Sequence, residues 1–349
     1  MTQMLFSRAA YAGLAVLFGS VLLGVSSIPV DSAKKRSNPM PVVIEAAQIS
    51  FERDKPIGTR FGQLEWLGSL RLTSPSKKFG GYSGLAIDKT GTKLLAVSDI
   101  GTWLSARLVY RNGRMEKLTN ARIGKIKGLA GKPLKGKFEY DSESIAMAAP
   151  GAVDGKAYIS FERRHRIAVH RVTTEGIGPA IRHLKLPGQV RSAQGNKGIE
   201  GITVLRTGPA KGAVLAFTEE YLAENGDHLG WLIGGPKPGR VTLKRYNGFA
   251  VTDLANLGNG DVIVLERKFR FTEGVKTRLR RIKASQIRAG AELDGKVLLE
   301  SDDVREIDNM EGLAVHQDER GRDILTIISD NNFNQRFQRT LLMQFRLVE

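Results

Sequence analysis

The stretch Ile199-Glu200-Gly201-Ile202-Thr203-Val204 decides the fold, because it is not alone. A carboxylate or Ser, then a small residue, then an apolar triplet recurs in Tyr82-Ser83-Gly84-Leu85-Ala86-Ile87, Ser142-Glu143-Ser144-Ile145-Ala146-Met147 and Met310-Glu311-Gly312-Leu313-Ala314-Val315. A weaker copy, Thr252-Asp253-Leu254-Ala255-Asn256-Leu257, fills the remaining gap. With the small residue (or Leu254) as marker, the copies fall at 84, 144, 201, 254 and 312, in steps of 60, 57, 53 and 58. A near-constant period of this size is the signature of an array of supersecondary units.

Each copy has a second half, a β-rich apolar run that ends in polar or acidic residues. These runs are Leu94-Leu95-Ala96-Val97-Ser98-Asp99, Ala157-Tyr158-Ile159-Ser160-Phe161-Glu162-Arg163, Val214-Leu215-Ala216-Phe217-Thr218-Glu219-Glu220, Val262-Ile263-Val264-Leu265-Glu266-Arg267 and Leu325-Thr326-Ile327-Ile328-Ser329-Asp330. Turn residues lie between the halves, as in Asp88-Lys89-Thr90-Gly91, Asp154-Gly155 and Gly258-Asn259-Gly260. Gly and Asn tolerate the positive φ of tight reversals. Each unit therefore starts as a hairpin, with one carboxylate near the start of the first strand and another at the end of the second.

A unit of roughly 55 residues has room for four short strands, the size of a propeller blade. The second unit offers them at 144–148, 157–161, 166–171 and 180–186, and the third at 201–205, 213–218, 230–233 and 240–245. The last unit supplies only three, ending in Thr340-Leu341-Leu342-Met343-Gln344-Phe345-Arg346-Leu347. Residues 61–72 can supply its fourth strand and close the ring, which removes open sheet edges. The expected fold is all-β, a single propeller of five blades, or six if two degenerate copies have merged.

Composition agrees with this. The chain has 349 residues, 41% of them hydrophobic, and 39 glycines, which suits one large core with many turns. It has no cysteine, so disulfides, thiolate metal sites, a cysteine nucleophile and a lipobox anchor are excluded. Arg8 precedes an uncharged apolar stretch over 9–25, then Ser26, Ser27 and Pro29, the layout of a secretory signal peptide with Val25 and Ser27 at the cleavage positions. An uncleaved membrane anchor is the alternative reading. The division is then 1–30 leader, 31–60 linker and 61–349 propeller, with the bulk of the protein periplasmic or secreted, or anchored to the inner membrane if the leader stays. The net charge of +17 is spread along the array without a recognition helix, RNP-type strand or zinc-finger spacing, so no specific nucleic acid is expected. A solvated basic surface, or one that attracts anionic substrates or envelope polymers, fits better. The closed array is expected to act as a monomer.

If the small-residue motif opens the innermost strands, Ser83, Glu143, Glu200, Asp253 and Glu311 ring one mouth of the channel. The second strand of a hairpin runs back, so Asp99, Glu162, Glu219 or Glu220, Glu266 and Asp330 fall at the same end. Converging carboxylates repel one another unless they bind cations or pair with Arg. Calcium suits them, since it takes about six to eight oxygen ligands. Asp308-Asn309-Met310-Glu311 and Ser329-Asp330-Asn331-Asn332 bring further oxygens. The same residue types also cap turns, so a purely architectural role stays open. Glu162-Arg163 and Glu266-Arg267 end two second strands; their Arg forks suit phosphate or carboxylate. His165 lies beside one of these ends and could act in acid–base catalysis, although a surface histidine is the commoner case. Gly81-Tyr82-Ser83-Gly84-Leu85 lacks the last glycine of a nucleophile elbow, the five histidines show no zinc spacing, and there is no Walker loop or dinucleotide fingerprint.

Taken in order, Ser83-Gly84-Leu85-Ala86, Ser98-Asp99, Ser142-Glu143, Phe161-Glu162-Arg163-Arg164-His165-Arg166, Glu200-Gly201, Thr252-Asp253-Leu254, Leu265-Glu266-Arg267, Asp308-Asn309-Met310-Glu311-Gly312-Leu313 and Ser329-Asp330-Asn331-Asn332-Phe333 resemble the bacterial phytase-like proteins, described by esterase-like activity of phytase. The resemblance runs from about residue 60 to the end. Ser144 departs conservatively from the Ala or Gly more usual there. The resemblance implies an exported β-propeller with acidic residues in catalysis. Two functions follow. One is a calcium-dependent phosphoester hydrolase acting on an anionic small molecule or envelope substrate. In it Glu143, Glu200 and Glu311 are catalytic, Arg163, Arg267 and Asn331 bind substrate, and Asp99, Glu162, Glu219, Glu266, Asp308 and Asp330 hold metal. The other is a non-catalytic propeller that binds an anionic envelope ligand or a partner protein.

Overall fold

The five repeated phrases are five innermost strands. The computed structural model describes residues 39–191, 198–301 and 304–348. Tyr82–Ile87, Ser142–Met147, Ile199–Val204, Ala250–Asn256 and Met310–Gln317 each open a sheet whose first four strands pair antiparallel. Both faces of these strands are largely buried, which is why they read as continuous apolar runs rather than alternating ones. Each pairs with the predicted second strand, and two further strands complete a blade. In blade two these are Gly155–Phe161, Arg166–Thr173 and Gly176–His183, the last starting a few residues before the expected position. There are five sheets, so the alternative of six blades falls away.

Blade five closes the ring as expected. Its strands Met310–Gln317, Asp323–Ser329 and Thr340–Leu347 take Leu64–Thr73 from the other end of the chain, with Leu347 opposite Leu64 and Thr340 opposite Leu72. The span read as a linker does more than connect. Glu45–Ile49 extends blade five beyond Leu64–Thr73, and Met40–Pro41 pairs with the outer strand of blade one. The two edges that flank the seam are thereby covered, which is what exposed edges require. The leader itself lies outside the described residues. Among those described, no helix is long and apolar enough to cross a membrane.

The core follows the same symmetry. Five apolar clusters each fill one seam between neighbouring blades: Leu85, Leu104 and Ile328 between blades one and five, Val97, Trp103 and Ile159 between one and two, Ile167, Ile202 and Trp231 between two and three, Phe217, Val251 and Val264 between three and four, and Leu265, Leu313 and Phe345 between four and five. Burial on this scale is the main stabilising term of the fold.

Every first hairpin carries a β-bulge at the same place. The pairing skips Ser83, Glu143, Glu200, Thr252 and Glu311, each left opposite no partner of its own. A bulge re-aims the extra residue and ends regular pairing. This register corrects the reading of repeat four by one residue. Thr252, not Asp253, is the counterpart of the glutamates, and Asp253 takes the small-residue position held elsewhere by Gly84, Ser144, Gly201 and Gly312.

Those small residues make the axis narrow. A Cβ on Gly84 would lie 2.7 Å from the Ile145 nitrogen, and one on Gly201 would lie 2.9 Å from the Asp253 Cα. Asp253 fills the space that the others leave. Its Oδ1 accepts from Ser144 Oγ at 2.6 Å and from the Leu254 N–H at 2.9 Å, and its Oδ2 accepts from the Leu313 N–H at 2.8 Å. The Leu85 N–H also donates to it, and Ser144 Oγ in turn accepts from the Ile202 N–H at 3.2 Å. One buried carboxylate thus ties all five blades together at the axis.

Candidate functional site

The mouth on the bulge side is built from three positions of each hairpin. The first stands two residues before the bulge (Gly81, Asp141, Gly198, Ala250, Asn309), and the second is the bulge itself. The third stands opposite the first across the hairpin and holds Asp99, Glu162, Glu219, Arg267 and Asp330. The two hairpin ends meet as expected, because the Asp99, Glu162, Glu219 and Asp330 N–H groups donate to the carbonyls of Gly81, Asp141, Gly198 and Asn309. The cup therefore holds Asp99, Asp141, Glu143, Glu162, Glu200, Glu219, Glu311 and Asp330.

Few cations face them. Arg267 lies 3.1 Å from Glu219 and 3.4 Å from Glu311, and Lys137 lies 3.2 Å from Asp99 and 3.1 Å from Asp141. Arg163, with φ 55°, turns its Nε to Asp141 at 2.6 Å. Among the described residues, neither Glu143 nor Glu200 has a cation within ion-pair reach. Burial, followed by the charges of Asp141 and Glu311, holds Glu143 well above the usual carboxylate range. Burial and then Glu143 and Glu219 do the same to Glu200. Glu162 and Glu311 are pushed up to about 7, in each case mainly by burial. Asp330 is raised well above its usual range by burial and by Glu311. These carboxylates gather at one mouth of a chain whose net charge is +17.

The densest part is in blade two, where carboxylate oxygens of Asp141, Glu143 and Glu162 lie within 4.8 Å of one another. All three residues are buried, and their hard oxygen donors fit a calcium-type cation. Asp141 and Lys137 were not among the expected site residues. Asp141 stands directly before the phrase Ser142-Glu143, a signal that was present, whereas Lys137 arrives on the short helix Lys137–Tyr140. Beside the cup, between blades four and five, a cleft of about 880 Å³ is lined by Arg267, Asp308, Asn309 and Glu311 and by the exposed Phe269 and Phe337.

Of the expected residues, Asp99, Glu143, Glu162, Arg163, Glu200, Glu219, Arg267, Glu311 and Asp330 come together at this mouth. Glu266 does not. The one-residue shift in repeat four turns it into the seam between blades three and four, where it is fully buried and Arg280 donates to both its oxygens at 2.8 and 2.5 Å. Its carboxylate lies in the seam and does not reach the mouth. Asp308 is used as a turn cap, accepting from the N–H groups of Asn309 and Arg339. Asn331 is likewise internal, its Oδ1 accepting from the N–H groups of Gly81 at 3.2 Å and Phe333 at 3.1 Å, which joins blade five to blade one instead of facing a substrate.

Comparison with known proteins adds a family. The model of the phytase-like proteins, esterase-like activity of phytase, matches residues 77–333. No curated protein matches the chain. Among solved structures, the chain is similar to a protein provisionally described as a gluconolactonase, at 14% identity and a TM-score of 0.39 over 89% of this chain and 96% of that one. It is also similar to the β-propeller domain of Myceliophteria thermophila Cps50 (Swd1), at 10% identity and a TM-score of 0.36 over 88% of this chain and all of that one.

Proposed function

The chain belongs to the phytase-like family, and from that membership and its acidic mouth we propose that it is a calcium-dependent phosphoester hydrolase. The observation that carries this reading is the set of carboxylates raised by burial and then by one another's charge, with the oxygens of Asp141, Glu143 and Glu162 within 4.8 Å. Those three residues hold the ion. When bound, calcium supplies charge neutralisation for a phosphoester and a more acidic water.

The remaining groups divide the work. Glu311, poised near neutrality at about 7, takes the proton of the attacking water. Glu200, whose pKa burial and then Glu143 raise well above the usual carboxylate range, gives a proton to the leaving oxygen as the P–O bond breaks. Arg163 and Arg267 present guanidinium forks to the phosphoryl oxygens. The cleft between blades four and five takes the rest of an anionic substrate. We place this activity outside the cytoplasm, periplasmic or secreted, on the strength of the apolar leader; cell fractionation checks it.

Purified protein should turn over phytate or a chromogenic phosphodiester only with calcium, and Glu200→Gln and Glu311→Gln should abolish turnover. Calcium binding without turnover would point instead to a propeller that only binds an anionic ligand. Protein that neither shifts its melting temperature in calcium nor cleaves a phosphoester would sink the proposal.

A further inference from the structure

A second pocket, of about 200 Å³, lies on the outer flank of blade two, between residues 127–134 and the strands Arg166–Thr173 and Gly176–His183. Its chemistry is the reverse of the cup's. Lys127, Arg164, Arg166, His170 and His183 line it, against the single carboxylate of Glu139.

Arg166 is only 7% exposed, with its guanidinium 3.9 Å above the Phe161 ring. It donates to the backbone carbonyls of Arg164 and Glu139, and among the described residues no carboxylate lies within ion-pair reach of it. The Glu139 carboxylate is engaged by Arg164, whose Nη1 donates to Oε1 at 2.5 Å. Burial lowers the Arg166 pKa to about 10. A buried charge answered by two carbonyls, an aromatic face and a Glu139 carboxylate beyond ion-pair reach is only partly compensated, and an anion in the pocket would relieve the remaining cost.

His170 narrows the choice of anion. It is 1% exposed, and its Nδ1 lies 2.9 Å from the Gly178 carbonyl, so Nδ1 carries the hydrogen and Nε2 an unpartnered lone pair. Burial and the nearby Arg166 lower its pKa, which keeps the ring neutral. The pocket thus asks for a ligand that is anionic yet has an O–H to give. Hydrogen phosphate has both features; sulfate at neutral pH has only the first.

We propose that this pocket binds inorganic hydrogen phosphate, with Arg166 and Arg164 on the anionic oxygens and His170 Nε2 accepting from the P–OH. The site is independent of the hydrolytic reading, since the acidic mouth repels phosphate when no cation is bound.

Calorimetric titration of the calcium-free full chain with sodium phosphate, against sulfate and chloride at equal ionic strength and pH 7.5, tests it. Phosphate should bind at least about tenfold more tightly than sulfate, because sulfate leaves the buried acceptor unpaired. His170→Phe should reduce phosphate binding to the sulfate level, and Arg166→Met should abolish it. If either variant fails to fold, Arg164→Gln and His183→Gln, both at exposed positions, should still weaken phosphate binding severalfold. Equal binding of phosphate and sulfate, no binding beyond that of chloride, or full affinity in Arg164→Gln would overturn the assignment.

Discussion

Blades two and four are built from the same hairpin with the same bulge, yet their mouth positions carry opposite chemistry. Blade two presents Asp141, Glu143 and Glu162, whereas the same three positions of blade four hold Ala250, Thr252 and Arg267. Blade four is as acidic in sequence, with Asp253 and Glu266, but each of those stands one residue away from the mouth position. One carboxylate turns to the axis and ties the blades; the other turns into a seam and meets Arg280. A shift of a single residue relative to the bulge decides whether an acid waits for a ligand or holds the fold.

The comparison breaks most visibly at the axis. Asp253→Ala should cost about 5 kcal/mol, because it strands the N–H groups of Leu85, Leu254 and Leu313 and the Ser144 hydroxyl in a dry interior. Denaturant unfolding measures it. Glu266→Gln should follow at about 3 kcal/mol, since Arg280 keeps its charge and loses its counter-ion.

Next in size is a pH effect. Glu162 and Glu311 titrate near 4.5 in the unfolded chain and near 7 in the folded one. As pH rises past 4.5 the unfolded chain releases these protons while the folded chain retains them. Their stabilising contribution is therefore full below 4.5 and lost as pH rises through 7. The calcium-free protein should lose on the order of 2 kcal/mol over that interval. Calcium should restore it above pH 7, where it no longer competes with protons. A melting temperature that rises between pH 5 and 7 without calcium would contradict this account of the cup.

Glu143→Gln then sharpens the contrast. The substitution is the same as at Glu266, but the expected sign is opposite. Burial, then the charges of Asp141 and Glu311, disfavour the Glu143 carboxylate, so a neutral amide there should stabilise the calcium-free protein by on the order of 1 kcal/mol. The melting-temperature gain on adding calcium should shrink in the same variant.

Much of this was legible in the sequence, and the part that was not has a physical cause. Five apolar runs at a near-constant period announced buried inner strands, and the three-stranded last unit called for Leu64–Thr73. The carboxylates of blades two, three and five were placed at the mouth by hairpin geometry alone. A bulge, however, adds one residue without altering the apolar pattern. Thr252-Asp253-Leu254 therefore reads the same with the acid at the mouth or on the axis. Glu266 was misplaced for the same reason, because its partner Arg280 is named only by strand register. Asp308 and Asn331 mislead differently: short polar side chains serve turns and ligands alike. The strands Met40–Pro41 and Glu45–Ile49 are too short to show a period, and as outer-edge strands they bury little.

The smallest effect tests the one cation that blade four contributes to the cup. Arg267 stands where the other blades have a carboxylate and is shared between Glu219 and Glu311. Its charge opposes the burial that raises Glu311, whose Oε1 also accepts from Asn309 at 2.7 Å. Arg267→Gln keeps the side chain polar but removes that opposition, so Glu311 should hold its proton to higher pH. Folding should change little, because the ion pairs are partly exposed. Glu311 must be free of its proton to act as the base, so the pH of half-maximal turnover should move upward, by less than about one unit. A midpoint that stays put, or moves down, would mean that Arg267 answers to Glu219 alone and that Glu311 is poised by burial without it.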